Sequence, residues 1–251
     1  MKNKICVVIP IKTNNYDKNL PIIKNAINEK PNFIEFRFDF IDNFENITKD
    51  LGSRLLNIIP PNISTIFTFR ANTEGGKIKV DEKERLKILE ILVNAQPDFI
   101  DIEMNSAEEI LNYIINLASN KKVNLIFSFH DFEKTSSYKE TLELILKFEE
   151  KLINKMIINS NIVEKSVYKV IFTAQNFEDN LTPINVCKYF SNNNRKIISF
   201  CMGEIGIFSR IICTKFGSFM TYASLDRKTA PGQIRIEKLR EFFNLLFEKS
   251  S

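Results

Sequence analysis

One lysine stands inside an apolar strand. Val167-Tyr168-Lys169-Val170-Ile171-Phe172-Thr173-Ala174 is β-branched and aromatic, without Gly or Pro, the pattern of a strand covered on both faces of a parallel sheet. Burial disfavours the charged ammonium, so Lys169 is a candidate for a nucleophilic amine able to condense with a carbonyl. Taken alone, the strand equally suits a lysine at a sheet edge, its stem covered and its head in solvent. His130, the single histidine of the chain, ends another apolar run with Ser128 on the same face. There it can serve as a general acid and base if strand ends carry the chemistry.

Charged residues fall at corresponding places on other strands. Glu35, Arg37 and Asp39 alternate with Phe36, Phe38 and Phe40, so the three charges share one face. Under covering helices they need partners or a substrate; an internal ion-pair ladder is the structural alternative. Arg70 closes Phe67-Thr68-Phe69-Arg70 and leads into Glu74-Gly75-Gly76, a loop permissive enough to bring backbone close to a ligand. Asp101 and Glu103 share a face at the end of the next strand. Gly206-Ile207-Phe208-Ser209-Arg210 opens a helix, placing N–H donors and a guanidinium where a carboxylate or phosphate could dock. Thr229-Ala230-Pro231-Gly232-Gln233 is either a lid over the mouth, spanning 226–233, or a plain connecting loop.

The elements that must position these side chains alternate regularly. Strands are expected at 4–10, 33–40, 64–70, 99–104, 123–130, 167–174, 196–202 and 219–225. Helices are expected near 17–29, 45–58, 82–95, 106–119, 138–153, 178–191, 206–215 and 234–248. Eight strand-helix pairs in 251 residues favour an α/β fold of the closed (β/α)8, or TIM barrel, type over an open doubly wound sheet. The segment 154–166 is long for a connection and leaves room for an extra turn of helix. No linker or low-complexity tract divides the chain, so one domain over 1–251 is the simplest account.

Composition narrows the class. Hydrophobic residues make up 44% and charged residues 26%, with a net charge of +4 spread along the chain. That balance is ordinary for a globular protein, argues against nucleic acid or a membrane surface as partner, and suits an anionic small molecule. Cys6, Cys187, Cys201 and Cys213 show no metal or redox spacing and read as buried thiols. The opening apolar run is short, contains Pro10 and suits a first strand better than a signal peptide, which leaves the cytoplasm as the expected location.

In register with those elements, EFRFD at 35–39, FTFR at 67–70, EGG at 74–76, HDF at 130–132, Lys169 in its strand, GIFSR at 206–210 and APGQ at 230–233 resemble the type I 3-dehydroquinate dehydratases. The resemblance spans nearly the whole chain. It implies a (β/α)8 barrel of the shikimate pathway that converts 3-dehydroquinate to 3-dehydroshikimate by syn elimination through an imine on lysine. It also implies no metal or dissociable cofactor, and a homodimer. Carried over, it makes Lys169 the imine former, His130 the proton shuttle and Glu74 its orienting partner. Glu35, Arg37 and Arg70 would bind ring hydroxyls, Arg210 the carboxylate, and Thr229 and Gln233 would close from the last loop. Two departures stand out: Thr229 replaces an expected Ser, and Tyr168 with Lys165 gives the lysine strand a bulkier, more polar entry. Lys165 lies outside the apolar run and should stay charged. Two other readings remain at this stage: a Schiff-base aldolase or transaldolase, which does not explain EFRFD, HDF and APGQ together, and a silent metabolite-binding barrel.

Overall fold

The computed structural model describes residues 3–225 and 232–247. Eight parallel strands alternate with helices: β1 (Ile5–Pro10), α1 (Tyr16–Asn28), β2 (Phe33–Arg37), α2 (Lys49–Asn57), β3 (Ser64–Thr68), α3 (Glu82–Asn94), β4 (Phe99–Glu103) and α4 (Glu108–Lys121). The second half holds β5 (Asn124–His130), α5 (Tyr138–Glu150), α6 (Ser160–Lys165), β6 (Val167–Thr173), α7 (Leu181–Asn192), β7 (Lys196–Met202), α8 (Ile207–Ile212), β8 (Thr221–Ala223) and α9 (Ile236–Phe247). Neighbouring strands follow the order β7-β6-β5-β4-β3-β2-β1-β8. The remaining seam is drawn together by a parallel bridge between Ile197 and Ser218, beside which the Phe219 N–H donates to the Ile197 carbonyl at 2.6 Å. The sheet is therefore a nearly closed (β/α)8 barrel, as the alternation of patterns required.

Helix starts follow local chemistry. Asp81 and Glu84 form a reciprocal capping box at α3, and Ser137 and Glu140 form another at α5, each satisfying donors that the first turn leaves unpaired. The extra turn expected in 154–166 is α6, preceded by a wide turn at Lys151–Lys155. All four cysteines are free and buried. Among the described residues no helix is long and apolar enough to cross a membrane.

Three strands fall two or more residues short of their expected bounds: β3 stops at Thr68 rather than at 70, and the other two have visible causes. The Phe33 run stops at Arg37 and turns into a single helical turn at Phe38–Phe40. The cause is Asp39, whose carboxylate collects both the Arg37 side chain and the Arg70 and Lys77 backbone N–H groups, bending the chain. The last strand keeps only Thr221–Ala223, because residues on its approach serve the seam with β7 instead.

At the N-terminal end the barrel interior is sealed by aromatic rings. Phe33 on β2 lies 6.0 Å from Phe99 on β4 and 5.5 Å from Phe219 on the approach to β8. These strands are not neighbours, so the rings meet inside the barrel. The opposite end carries the charged residues.

Candidate active site

At the C-terminal ends of the strands lies a cavity of about 240 Å³, at the small end for a ligand site. Glu35, Arg37, Arg70, Glu74, His130, Lys169, Arg210 and Gln233 all line it. Of the candidates from the sequence, only Thr229 lies outside the described residues, together with 226–231 of the expected lid. A wider groove of about 670 Å³ opens beside Val8, Lys12, Asn19 and Asp42, but it lacks a comparable convergence of buried charge.

Lys169 is buried, 5% exposed. Strand pairing sets Ser128 beside it on β5 and Ile198 on β7. Its nitrogen is not alone. Nζ donates to Asp101 Oδ2 at 3.0 Å and lies 3.9 Å from Glu35 Oε1. Asp101 in turn takes Arg70 at 2.7 Å and the Ser128 hydroxyl at 2.6 Å. Burial pushes the Asp101 carboxyl up, but Arg70 and Lys169 more than offset it and hold the group well below the usual carboxylate range. Glu35 accepts from the Thr68 hydroxyl at 2.6 Å. A buried amine thus sits in a balanced network, where an unpaired charge would be costly.

His130 lies on β5, the strand beside Lys169, two residues beyond the Ser128 that pairs with it. It therefore occupies the next layer toward the mouth. Glu74 Oε2 accepts the His130 backbone N–H at 3.0 Å and sits 3.1 Å from ring Nδ1. Burial, then the charges of Arg70 and Lys169, hold the imidazole well below its ordinary 6.5. Burial also pushes the Glu74 carboxyl up to about 8, against the pull of Arg70. The two glycines after Glu74 have a steric purpose. Gly75 has φ +84°, and a Cβ there would strike the Phe132 ring; a Cβ on Gly76 would fall 2.0 Å from the Arg70 carbonyl oxygen. The close approach expected of this loop is thus to the protein's own backbone and to the ring stacked beside His130, and it is what sets Glu74 in place.

The remaining cations differ in how far they are committed. Arg70 spends its terminal nitrogens on Asp101, Glu103 and Ser128, so it shapes the network as well as the wall. Arg37 is held side-on by Asp39 through two bonds of 2.7 and 2.8 Å, so part of the ion-pair ladder expected from EFRFD exists. Arg210 is 1% exposed and lies over Phe200 at 4.3 Å; burial brings its guanidinium down to about 10. The donors expected at the start of α8 are partly used internally, since the Ser209 N–H donates to Asn180 and the Ser209 hydroxyl accepts from the Cys201 N–H. Among the described residues no cluster of three or more His, Cys, Asp or Glu could hold a metal ion.

Residues 5–250 match the family model of type I 3-dehydroquinase. The chain belongs to the type I 3-dehydroquinase family. It is 34% identical over 219 residues to the 3-dehydroquinate dehydratase of Methanococcus maripaludis strain C5, covering 85% of this chain and 87% of that protein. It is 32% identical over 252 residues to the 3-dehydroquinate dehydratase of Clostridioides difficile strain 630, covering 97% and 91%. A crystal structure of the type I 3-dehydroquinate dehydratase from Clostridium difficile with covalently modified comenic acid superposes with a TM-score of 0.81 at 28% identity, covering 98% of this chain and 92% of that one. The membership, the barrel and the lyase class drawn from the motifs are therefore met.

Against that family background, three placements refine the sequence reading. Tyr168 does not stand at the entry to the site: its ring packs near Phe127 and Phe190, on the helix side of β6. Lys165 is exposed at the end of α6, as its place outside the apolar run required. Asp101 and Tyr222, which the sequence did not single out as site residues, both contact the Lys169 nitrogen. Asp101 carried a signal, an acid on a covered strand that needed a partner, but nothing in the sequence joins it to a lysine 68 residues away.

Proposed function

We propose that this 3-dehydroquinase family member dehydrates 3-dehydroquinate to 3-dehydroshikimate, a step of the shikimate pathway, through a Schiff base on Lys169 with His130 as general acid and base. The reading needs one domain and no metal or dissociable cofactor. Lys169 attacks the ketone, the carbinolamine loses water, and an iminium forms that acidifies the adjacent carbon. His130 takes that proton. The electron pair moves toward the nitrogen, and the β-hydroxyl departs as water with the proton His130 returns, so one imidazole serves a syn elimination. Hydrolysis of the product imine restores the amine.

The resting geometry supports these assignments. The depressed imidazole is neutral near pH 7, so it starts as a base; with the proton on Nδ1 it donates to Glu74 Oε2, and Nε2 keeps the lone pair. Asp101 is the acceptor beside Lys169 that stabilises its cationic forms. Arg210, committed to burial at one end of the cavity, is the partner for the substrate carboxylate. Glu35, Arg37, Arg70 and Gln233 frame the ring, with Thr229 as the remaining contact.

The observation that carries the proposal is the shared cavity: a buried lysine and a histidine on adjacent strands, inside a family of 3-dehydroquinases. The test is the purified protein with 3-dehydroquinate and a chelator, followed by the ultraviolet absorption of the new conjugated ketone. Product should accumulate, and Lys169→Ala should abolish it. Carbon-carbon cleavage products, or none, would contradict the reading and favour an aldolase or a silent barrel. A cytoplasmic homodimer belongs to the same proposal on the strength of the resemblance; sedimentation velocity and fractionation check it.

A further inference from the structure

Tyr222 belongs to the short strand β8 and is 4% exposed. Its ring walls the cavity, with Lys169 Nζ 4.6 Å from the ring centroid. The hydroxyl meets the buried Cys6 thiol and makes no hydrogen bond to nitrogen or oxygen among the described residues, so the polar end of the side chain gives only a weak reason for the placement. Burial, then Glu35 and Cys6, push the phenol well above its usual range, so the ring is neutral and presents its negative quadrupole face to the nitrogen.

The chemistry at Lys169 makes that face useful. An ammonium has three N–H donors, and here Asp101 takes one at 3.0 Å while Glu35 stands at 3.9 Å. A protonated imine keeps the positive charge but only one N–H, so it cannot keep a donor for each acid. An aromatic face needs no N–H to hold a cation. Its attraction therefore persists in the iminium, where hydrogen bonds of the ammonium have been given up, and is missing for the neutral amine and carbinolamine that precede it.

We propose that Tyr222 is a further catalytic residue, whose ring face stabilises the iminium formed on Lys169. The inference rests on the imine reading above. In the step concerned, the C–N bond forms, the C–O bond breaks, two of the three ammonium protons leave with that oxygen as water, and the positive charge remains on the nitrogen over the ring. Tyr222 gives up no proton or electron.

The test replaces Tyr222 with Phe and with mono-, di- and trifluorinated phenylalanines, which weaken the quadrupole at nearly constant shape. Tyr222→Phe should keep kcat within about threefold, since it is the ring face and not the hydroxyl that meets the nitrogen. Across the fluorinated series, kcat and the borohydride-trapped fraction should fall stepwise, by about tenfold in total, the range of a desolvated cation–π contact. Melting temperature should stay flat. A structural filler would show no such dependence on ring electrostatics. Tyr222→Leu should lose about tenfold in kcat with a smaller change in KM, and if that variant fails to fold the fluorinated series still decides. Trapping on Lys169 in the natural chain with a flat series would overturn the role of Tyr222 alone. No trapping in the natural chain would remove the imine reading, and this inference with it.

Discussion

The two ends of the barrel are built from the same strands and do opposite things. At the N-terminal end, Phe33 and Phe99 meet Phe219 in a plug, capped by Lys4, whose Nζ lies 4.5 Å from the Phe219 ring centroid. Two residues along the same strands, Phe33 gives way to Glu35 and Phe99 to Asp101, and the interior becomes an ionic network around Lys169. One end excludes water with aromatic rings that have nothing to titrate. The other gathers Arg70, Asp101, Glu103, Glu35 and Lys169 at a desolvation cost that aromatic packing elsewhere must offset. Stability and chemistry are thus separated along the barrel axis, so substitutions at the two ends should fail in different ways.

The largest contrast is expected from Lys169→Ala, which should reduce turnover to background while the barrel still folds, as read by near-ultraviolet circular dichroism. His130→Ala should lower kcat by about 100- to 10,000-fold, the usual worth of a positioned acid and base, yet leave some imine formation. Full activity in that variant would remove His130 from the mechanism. Phe33→Ala breaks the plug instead. It should cost about 3 kcal/mol in unfolding free energy through the cavity it opens, while kcat per folded molecule stays unchanged; a matching loss of kcat would show that the ends are coupled.

The smallest expected effect is the most diagnostic of the upper end. If neutral His130 is the base, as proposed, kcat/KM should fall as pH drops below the depressed imidazole value, under 6.5. On the alkaline side Glu74 ionises near 8 and its carboxylate then favours the imidazolium. Glu74→Gln should remove that alkaline limb and leave the acidic one. Stability has its own sign: a carboxyl raised on folding contributes fully below its ordinary value of 4.5 and loses that contribution as pH rises through about 8. The variant should therefore melt more favourably, relative to the natural chain, at pH 8.5 than at pH 5.

Much of this was legible in the chain because covered strands leave a charged residue few explanations. Lys169 and His130 were visible as polar groups in apolar runs, and Glu74-Gly75-Gly76 as a loop needing special backbone. What was not legible depends on pairing across the barrel. Arg70 reads as a substrate-binding cation, yet its bonds to Asp101 and Glu103 are formed between residues more than thirty apart. Asp39 continues an alternating pattern, yet its carboxylate ends the strand by gathering donors from Arg70 and Lys77. Tyr222 in a three-residue strand reads as core, and only the meeting of β8 with β6 through the interior sets its ring against Lys169.

The central claim is that the buried amine at the polar end becomes covalently joined to the substrate. Borohydride reduction in the presence of 3-dehydroquinate, followed by peptide mass mapping, reads that bond directly. A reduced, dehydrated ring-sized adduct on Lys169 is the predicted result. An unmodified Lys169 during active turnover, or an adduct confined to another lysine such as the exposed Lys165, would contradict it.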